Sequence, residues 1–495
     1  MKTIKRNYLF LPMSFLLLAA SLVGCGTSKK IARTETKSQV VNILAVNDIH
    51  ATLPNFPRFA YMVDSLRGIY PGLLLVSGGD NQTGNPLNDQ YVPKGLPMVE
   101  LMNALKFDLS AVGNHEFDTN GKDNPLEVLI RRANFDYLCA NVVLPHADFP
   151  FKAYKILRMP SGVRVGFTSI LDINSGNIPD THPDRVREFS FKDPLQVGKD
   201  MTFLKDSCDI LIYLNHYGFE NDVELAKNLP AGKVDLIIGG HSHTKIDTEQ
   251  VHNDILITQA ASKLKYATLI TMALHPDGKV QKSMKLLPVG KSGNVRPEIQ
   301  EMVARYLAAS PLEEVVAQAG DHFTSSEQLG YLMADAFRKS AGAEIALVNP
   351  GSIRMDNLSK GDISLMDVYT LDPFGNEMVL VNLTGHEIRA MMLSGFEMDE
   401  KRPMVPSGLK LQYTLDAERN VKDVRIFNPD GSDFDMDRVY KVVMSSYMNV
   451  TYKYERSDAG KSLFRTTAEG LIDYLREIKT VPSYRKESRI SGAKL

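Results

Sequence analysis

The chain has 495 residues, 57 Lys+Arg against 59 Asp+Glu for a net charge of −2, and 43% apolar residues. That balance excludes an electrostatic grip on a nucleic-acid duplex, and it is too apolar for a disordered chain. Three cysteines exclude a disulfide framework, and roughly 150 residues per domain predicts two or three domains with real cores.

Residues 1–24 carry Lys2, Lys5 and Arg6 ahead of an apolar run from about Tyr8 to Val23, shorter than a comfortable membrane span and ending in small residues. This predicts an export signal; a signal anchor that stays attached is the alternative. Leu22-Val23-Gly24-Cys25 resembles the bacterial lipobox, which implies cleavage before Cys25 and a lipid on its thiol. Residues 25–39 read as a tether, and the body beyond as a soluble domain pair held at a membrane.

From residue 40 to about 288, short apolar runs alternate with amphipathic ones: Val41 to Val46, then Arg58 to Ile69; Leu73 to Val76, then Met98 to Leu105; Leu109 to Val112, then Leu126 to Ala133. Later come Ile210 to Leu214, Glu220 to Leu229 and Val234 to Ile238. Apolar runs this short suit buried strands, so the pattern predicts β-α units in a layered α/β domain. Ile255 to Gln259 and Ala267 to Leu274 follow without a helix between them and predict an antiparallel second sheet. Cys139 lies within a strand-like run and Cys208 just before one, and both read as buried thiols, with a single disulfide as the alternative. The Gly- and Pro-rich stretch from Pro288, with a helix at Glu298 to Ala308, predicts a connector over 289–312. A second domain over 313–490 should hold helices near Leu329 to Ser340, His386 to Leu393 and Ala468 to Ile478, with strands at Ile345 to Val348 and Met378 to Leu383.

Five apolar runs of the first domain end in polar clusters: Asp48 and His50; Asp80; Asn114, His115 and Asp118; His216; His241 and His243. Loops leaving the carboxyl ends of strands converge on one sheet edge, so these residues should meet there. Imidazole nitrogens with hard oxygens suit Zn, Mn or Fe better than a soft-metal site. Singly, each has a plain reading: a strand-end Asp is usually a helix cap, and Asp118 could cap the turn before Thr119-Asn-Gly. Together they hold five of the chain's 11 histidines; His146, His182, His252, His275, His322 and His386 read as turn or surface residues.

Asp-x-His, Gly-Gly-Asp, Gly-Asn-His-Glu, Asn-His and Gly-His-Ser-His, in this order, resemble the calcineurin-like metallophosphoesterases. Gly113-Asn-His-Glu-Phe-Asp118 with a separate C-terminal domain narrows the resemblance to the 5′-nucleotidase and UDP-sugar hydrolase family, over about residues 40 to 485. It implies a four-layer α/β/β/α metallophosphoesterase domain followed by a smaller α/β (α+β) domain. It also implies two divalent metal ions, Zn, Mn or similar. Asp48, His50 and His243 would hold one and Asn114, His216 and His241 the other, with Asp80 bridging. His115, oriented by Asp118, would stabilise phosphoryl oxygens or the leaving group. The implied activity is hydrolysis of nucleoside 5′-monophosphates by metal-activated water, in a monomer. The alternatives are a 2′,3′-cyclic phosphodiesterase, a nucleotide-sugar pyrophosphatase, or a ligand-binding lipoprotein with vestigial catalysis.

In the second domain Asn349-Pro-Gly-Ser-Ile-Arg354 and Asp372-Pro-Phe-Gly-Asn376 resemble the family's nucleoside-binding loops. Phe374 and Tyr447 would clamp the base, Asn349 and Asn376 would reach polar edges, and Arg354 would meet phosphate through its planar fork. Taken alone, a Pro-Phe-Gly-Asn run is more often a plain turn with a buried Phe. The chain departs from the family pattern by lacking an Arg ahead of Glu327 and a Gly-Gly-Asp after Tyr447.

Overall fold

The computed structural model describes residues 38–122, 124–174 and 176–495. The predicted export signal, Cys25 and nearly all of the tether therefore lie outside the described residues. No helix among the described residues is long and apolar enough to cross a membrane.

Gln39–Val46 shows why the first half is layered. Val41, Ile43 and Ala45 point to one side and Leu44 and Val46 to the other, and all five are buried. A strand apolar on both faces must be covered twice. Gln39–Val46 pairs parallel with Leu74–Ser77, followed by Leu109–Ala111, Asp136–Leu138 and Phe151–Lys152, while Tyr266–Leu274 and Val280–Pro288 extend the other side antiparallel. A second sheet runs Gln250–His252, Ile255–Thr258, Leu236–Ile238, Ile210–Leu214, Arg164–Thr168 and Tyr154–Arg158. Between the sheets Ile43, Val76 and Leu109 meet Val165, Ile212 and Leu236 in one core. Helices Phe56–Ile69 and Leu96–Ala104 cover the outside of the first sheet, and Phe219–Asn228 the outside of the second. The result is the four-layer α/β/β/α order.

One expectation is corrected. Ile255–Thr258 and Tyr266–Leu274 do not share an antiparallel second sheet: the former runs parallel to Leu236–Ile238, and the latter pairs with Gln39–Val46 in the first sheet. Between them Ala261, Lys263 and Leu264 take left-handed backbone, which swings the chain across the sandwich instead of closing a hairpin. Cys139 and Cys208 are buried free thiols, and burial pushes both thiol pKa values up, Cys139 to about 12.

Helix Pro297–Ala308 packs back on Phe56–Ile69 and Leu96–Ala104, tied by Arg296 N–H to Pro57 O at 2.9 Å and by the Tyr306 hydroxyl to Glu100. The connector region is thus anchored to the first half. Beyond it, a five-stranded sheet orders Val405–Ser407, Ile345–Val348, Val439–Ser445, Glu377–Thr384 and Lys461–Thr466. Its helices start where the sequence supplies reciprocal caps: Thr384 with Glu387 for Gly385–Met398, and Thr466 with Glu469 for Thr467–Ile478. Ser325 caps Ser326–Ser340, so the segment that lacks the family Arg is a well-formed helix start.

Candidate metal centre and substrate cavity

The candidate residues sit at the carboxyl ends of parallel strands from both sheets. Asp48 and His50 follow Gln39–Val46, Asp80 follows Leu74–Ser77, and Asn114 with His115 follows Leu109–Ala111; His216 and the pair His241/His243 come from the second sheet. Asp48, His50, Asp80, His241 and His243 all have positive φ, between 47° and 76°. Such backbone is costly for residues with a Cβ and persists only where surroundings fix it. The fixing is visible. Asp48 N–H donates to Gly79 O at 2.9 Å, His50 N–H to Asp80 O at 3.0 Å, and His115 N–H to Asp80 Oδ1 at 2.9 Å. At Gly113 any side chain is excluded, because a Cβ there would stand 2.2 Å from Asp80 Oδ1.

Three overlapping sets bring potential ligand atoms within 4.8 Å of one another: Asp48, His50 and His243; His50, Asp80 and His115; Asp80, His216 and His241. Asn114 joins the last, its Oδ1 lying 3.2 Å from His216 Nε2 and 3.1 Å from His241 Nδ1. The ring states follow from the outer contacts. His50 Nδ1 faces Thr83 O at 3.1 Å and His216 Nδ1 faces Gly78 O at 2.8 Å. A carbonyl only accepts, so both rings carry their proton on Nδ1 and turn Nε2 inward.

These side chains fit a pair of cations. His50 Nε2 and His243 Nε2 stand 2.9 Å apart, an approach of two ring nitrogens that calls for a shared proton or a metal. Burial and the Arg354 charge hold His50 well below the usual histidine range, which leaves its lone pair free. Burial also opposes charge on His216, yet the Asp80 carboxylate 3.2 Å away outweighs it and raises that ring to about 10. The space beside Asp80 therefore asks for positive charge. His, Asp and Asn donors match borderline to hard divalent ions.

His115 differs. Its Nδ1 donates to Asp118 Oδ2 at 2.6 Å, while Nε2 lies 3.9 Å from Asp80. Burial lowers its pKa, but Asp80 and Asp118 together outweigh that and raise it; His115 in turn overcomes burial and lowers Asp118. Each partner thus favours the charged form of the other, and Asp118 does more than cap a turn.

A cavity of about 1210 Å³ opens from this centre and is walled by both halves of the chain. Asn349, Arg354, Phe374, Asn376 and Tyr447 all line it. The Phe374 ring stacks on His115, centroids 5.8 Å apart at 24°, and the Arg354 guanidinium lies 5.6 Å from the Phe374 centroid. Asn349 accepts from the Ser352 hydroxyl, so part of its polar edge is already engaged. Tyr447 gives its hydroxyl to Asp180 Oδ1 at 2.5 Å.

Several residues here escaped sequence reasoning. Glu116 is fully buried and accepts from Gly113 N (2.7 Å), Asp80 N (3.0 Å), Asn81 N (2.8 Å) and Asn81 Nδ2 (2.9 Å), clamping the Asp80 and Asn114 loops together. Asp172 approaches His241 Nε2 at 3.5 Å, and Arg402 lines the cavity. His182, read as a bland turn residue, also lines the cavity; its Nδ1 nevertheless accepts from Asp184 N–H, a turn-capping use. The Gly-Asn-His-Glu motif could have signalled Glu116; the others carry no local signal.

Asp222 accepts from Asn215 Nδ2 at 2.8 Å beside His216, and its other oxygen has no partner among the described residues. Burial raises its pKa to about 7, so the folded state favours the neutral acid while an unfolded chain titrates near the ordinary 3.8. The sign follows: this group's stabilising contribution is full below about pH 4 and is lost as pH rises through 7. Asp222→Asn is expected to flatten the fall of Tm between pH 5 and 8, read by calorimetry; an unchanged slope would discount the group.

The comparisons agree with this architecture. Residues 41–245 match the calcineurin-like phosphoesterase family model, and residues 311–451 match the 5′-nucleotidase, C-terminal domain model. A 5′-nucleotidase of Vibrio cholerae is 27% identical over 87% of this chain and 88% of its own length, and Protein UshA of Salmonella pullorum is 26% identical over 90% of each. The crystal structure of a 5′-nucleotidase precursor from Thermus thermophilus superposes with a TM-score of 0.80 at 24% identity, covering 92% of this chain and 99% of that one. With a phosphoesterase domain and a nucleotidase C-terminal domain in that order, the chain belongs to the 5′-nucleotidase family and is a metal-dependent phosphoester hydrolase.

Proposed function

We propose that the protein hydrolyses nucleoside 5′-monophosphates to nucleoside and phosphate, with the ligand set expected from the motifs: Asp48, His50 and His243 for one metal, Asn114, His216 and His241 for the other, and Asp80 between them. The observation that carries this reading is the stack of Phe374 on His115 beside Arg354, which sets an aromatic ring, a cation suited to phosphate and a proton donor around one cavity. Cations held by these residues would supply Lewis acidity to the phosphoryl group and make water more acidic. Arg354 holds the phosphate through its planar fork. His115 keeps Nδ1–H on Asp118 and offers Nε2–H to the leaving 5′-oxygen as the P–O bond breaks.

Wild-type protein loaded with Mn²⁺ or Zn²⁺ should release phosphate from 5′-AMP or 5′-UMP. Turnover of p-nitrophenyl phosphate with none of any nucleotide would sink the nucleotide reading. Phe374→Ala should raise KM for nucleotides about tenfold through lost stacking, with kcat less affected; steady-state kinetics check this. The cavity volume favours a second reading, because about 1210 Å³ exceeds the usual span of small-molecule sites. A nucleotide sugar is that alternative, and adding a UDP-sugar to the panel separates the two.

The enzyme is further read as an exported monomer anchored through a lipid on Cys25. The lipobox-like Leu22-Val23-Gly24-Cys25 supports the anchor. Cys25→Ala should move the protein from the membrane fraction to the soluble fraction and abolish palmitate labelling.

A further inference from the structure

Residues 179–185 run alongside the Asn114–Thr119 turn and its cap Asn120, and four side-chain bonds join the two segments like rungs, one of them the Arg185 guanidinium donating to Asn120 O at 2.5 Å. Asn114 Nδ2 donates to Asp180 O at 2.9 Å, the Thr181 hydroxyl donates to Asp118 Oδ1 at 2.6 Å, and Asn120 Nδ2 donates to Arg185 O at 2.7 Å. Two of these rungs end on residues of the hydrolytic site. With its NH₂ given to the Asp180 carbonyl, the Asn114 amide can turn only its oxygen toward His216 and His241. With Oδ1 satisfied by Thr181, Asp118 is left with Oδ2 for His115. The opposite side of the strap faces the second half of the chain, where Tyr447 donates to Asp180 Oδ1 at 2.5 Å.

We propose that Asp180 and Thr181 are positioning residues for the hydrolysis, and that Tyr447 acts on the site through them as well as from the cavity wall. Contact of the second half with Asp180 steadies the strap. The strap in turn aims the Asn114 oxygen and the His115–Asp118 pair. Thr181 is buried, 3% exposed, and its hydroxyl has the shape and position of a fixed donor; a surface Thr would have no such constraint. This inference rests on the roles given above to Asn114, His115 and Asp118.

The test uses the full metal-loaded enzyme with two substrates that share a phosphate and differ in leaving group. Nucleoside 5′-oxygen needs a proton as it departs, whereas p-nitrophenolate does not. Thr181→Val should lower kcat on 5′-AMP about tenfold, a fraction of what a general acid supplies, with KM within twofold and two metals per chain retained. On p-nitrophenyl phosphate the loss should be less than threefold. Thr181→Ser, which keeps the hydroxyl, should restore kcat on 5′-AMP. Tyr447→Phe, which keeps the ring, should lower kcat in the same leaving-group-dependent way, and its loss should not multiply with that of Thr181→Val in the double variant. Equal losses on both substrates, failure of serine to outperform valine, or multiplicative losses would overturn the proposal. Should Thr181→Val fail to fold, the Tyr447→Phe substrate comparison decides alone. Wild-type enzyme inactive on 5′-AMP would instead count against the nucleotidase reading, a result separate from variants that match an active wild type.

Discussion

Asp80→Ala is expected to remove metal and activity together. Asp80 is 2% exposed and is the one residue shared by the His115 set and the His216 set of candidate ligands. Its Oδ2 lies 3.2 Å from His216 Nε2, and its Oδ1 accepts the His115 backbone N–H. Burial alone would raise its pKa, yet His216 and His115 hold it well below the ordinary carboxylate range, so it is charged throughout the working pH range. Alanine leaves the rings of His50, His115 and His216 without the negative charge they converge on. Losing a bridging carboxylate should exceed the roughly 10²–10³-fold cost of removing a single transition-state donor. Metal analysis should fall from two ions per chain to one or none, and phosphate release should drop on the order of 10³-fold or more. A variant that keeps two tightly bound ions would contradict the placement of Asp80 between them.

His115→Gln should separate the proton donor from the metal site. The ring makes its closest polar contact with Asp118 and stacks under Phe374, and neither contact involves the Asn114–His216–His241 group. Metal content should therefore stay at two per chain. kcat on 5′-AMP should fall about 10²–10³-fold, the span of a lost general acid, with a smaller loss on p-nitrophenyl phosphate. Parallel loss of metal would reassign His115 as a ligand, a role its distance of 3.9 Å from Asp80 Oδ2 leaves geometrically open.

The strand ends were legible because two signals coincide there. Runs such as Leu109 to Val112 and Ile210 to Leu214 are long enough only for buried strands, and each stops at a polar residue that a buried strand would not otherwise tolerate. The topology then does the gathering. The departure of Tyr266–Leu274 to the first sheet was not legible, because an apolar strand pattern fits either sheet and the decision rests on left-handed turns at Ala261, Lys263 and Leu264. Glu116 lay in plain view within a motif, but its work is done through backbone N–H groups that no side-chain pattern reveals. Asp172, Asp180 and Thr181 act across long loops, so nothing beside them in sequence marks them. Phe374 was singled out as a base-stacking ring; its neighbour being His115 is a fact of domain contact, invisible in either loop alone.

The sandwich carries a consequence for the centre above it. Asp48, His50, Asp80 and Asn114 ride on the first sheet and His216, His241 and His243 on the second, while Ile43, Val76, Val165 and Ile212 fill the gap beneath. The thickness of that apolar filling is the gauge that sets how far apart the two groups of candidate ligands stand. Protein interiors are packed too densely for such a gauge to drift freely. A core methyl removed there is felt at the strand ends as a change in spacing, so metal affinity in this enzyme doubles as a readout of hydrophobic packing well below the metals.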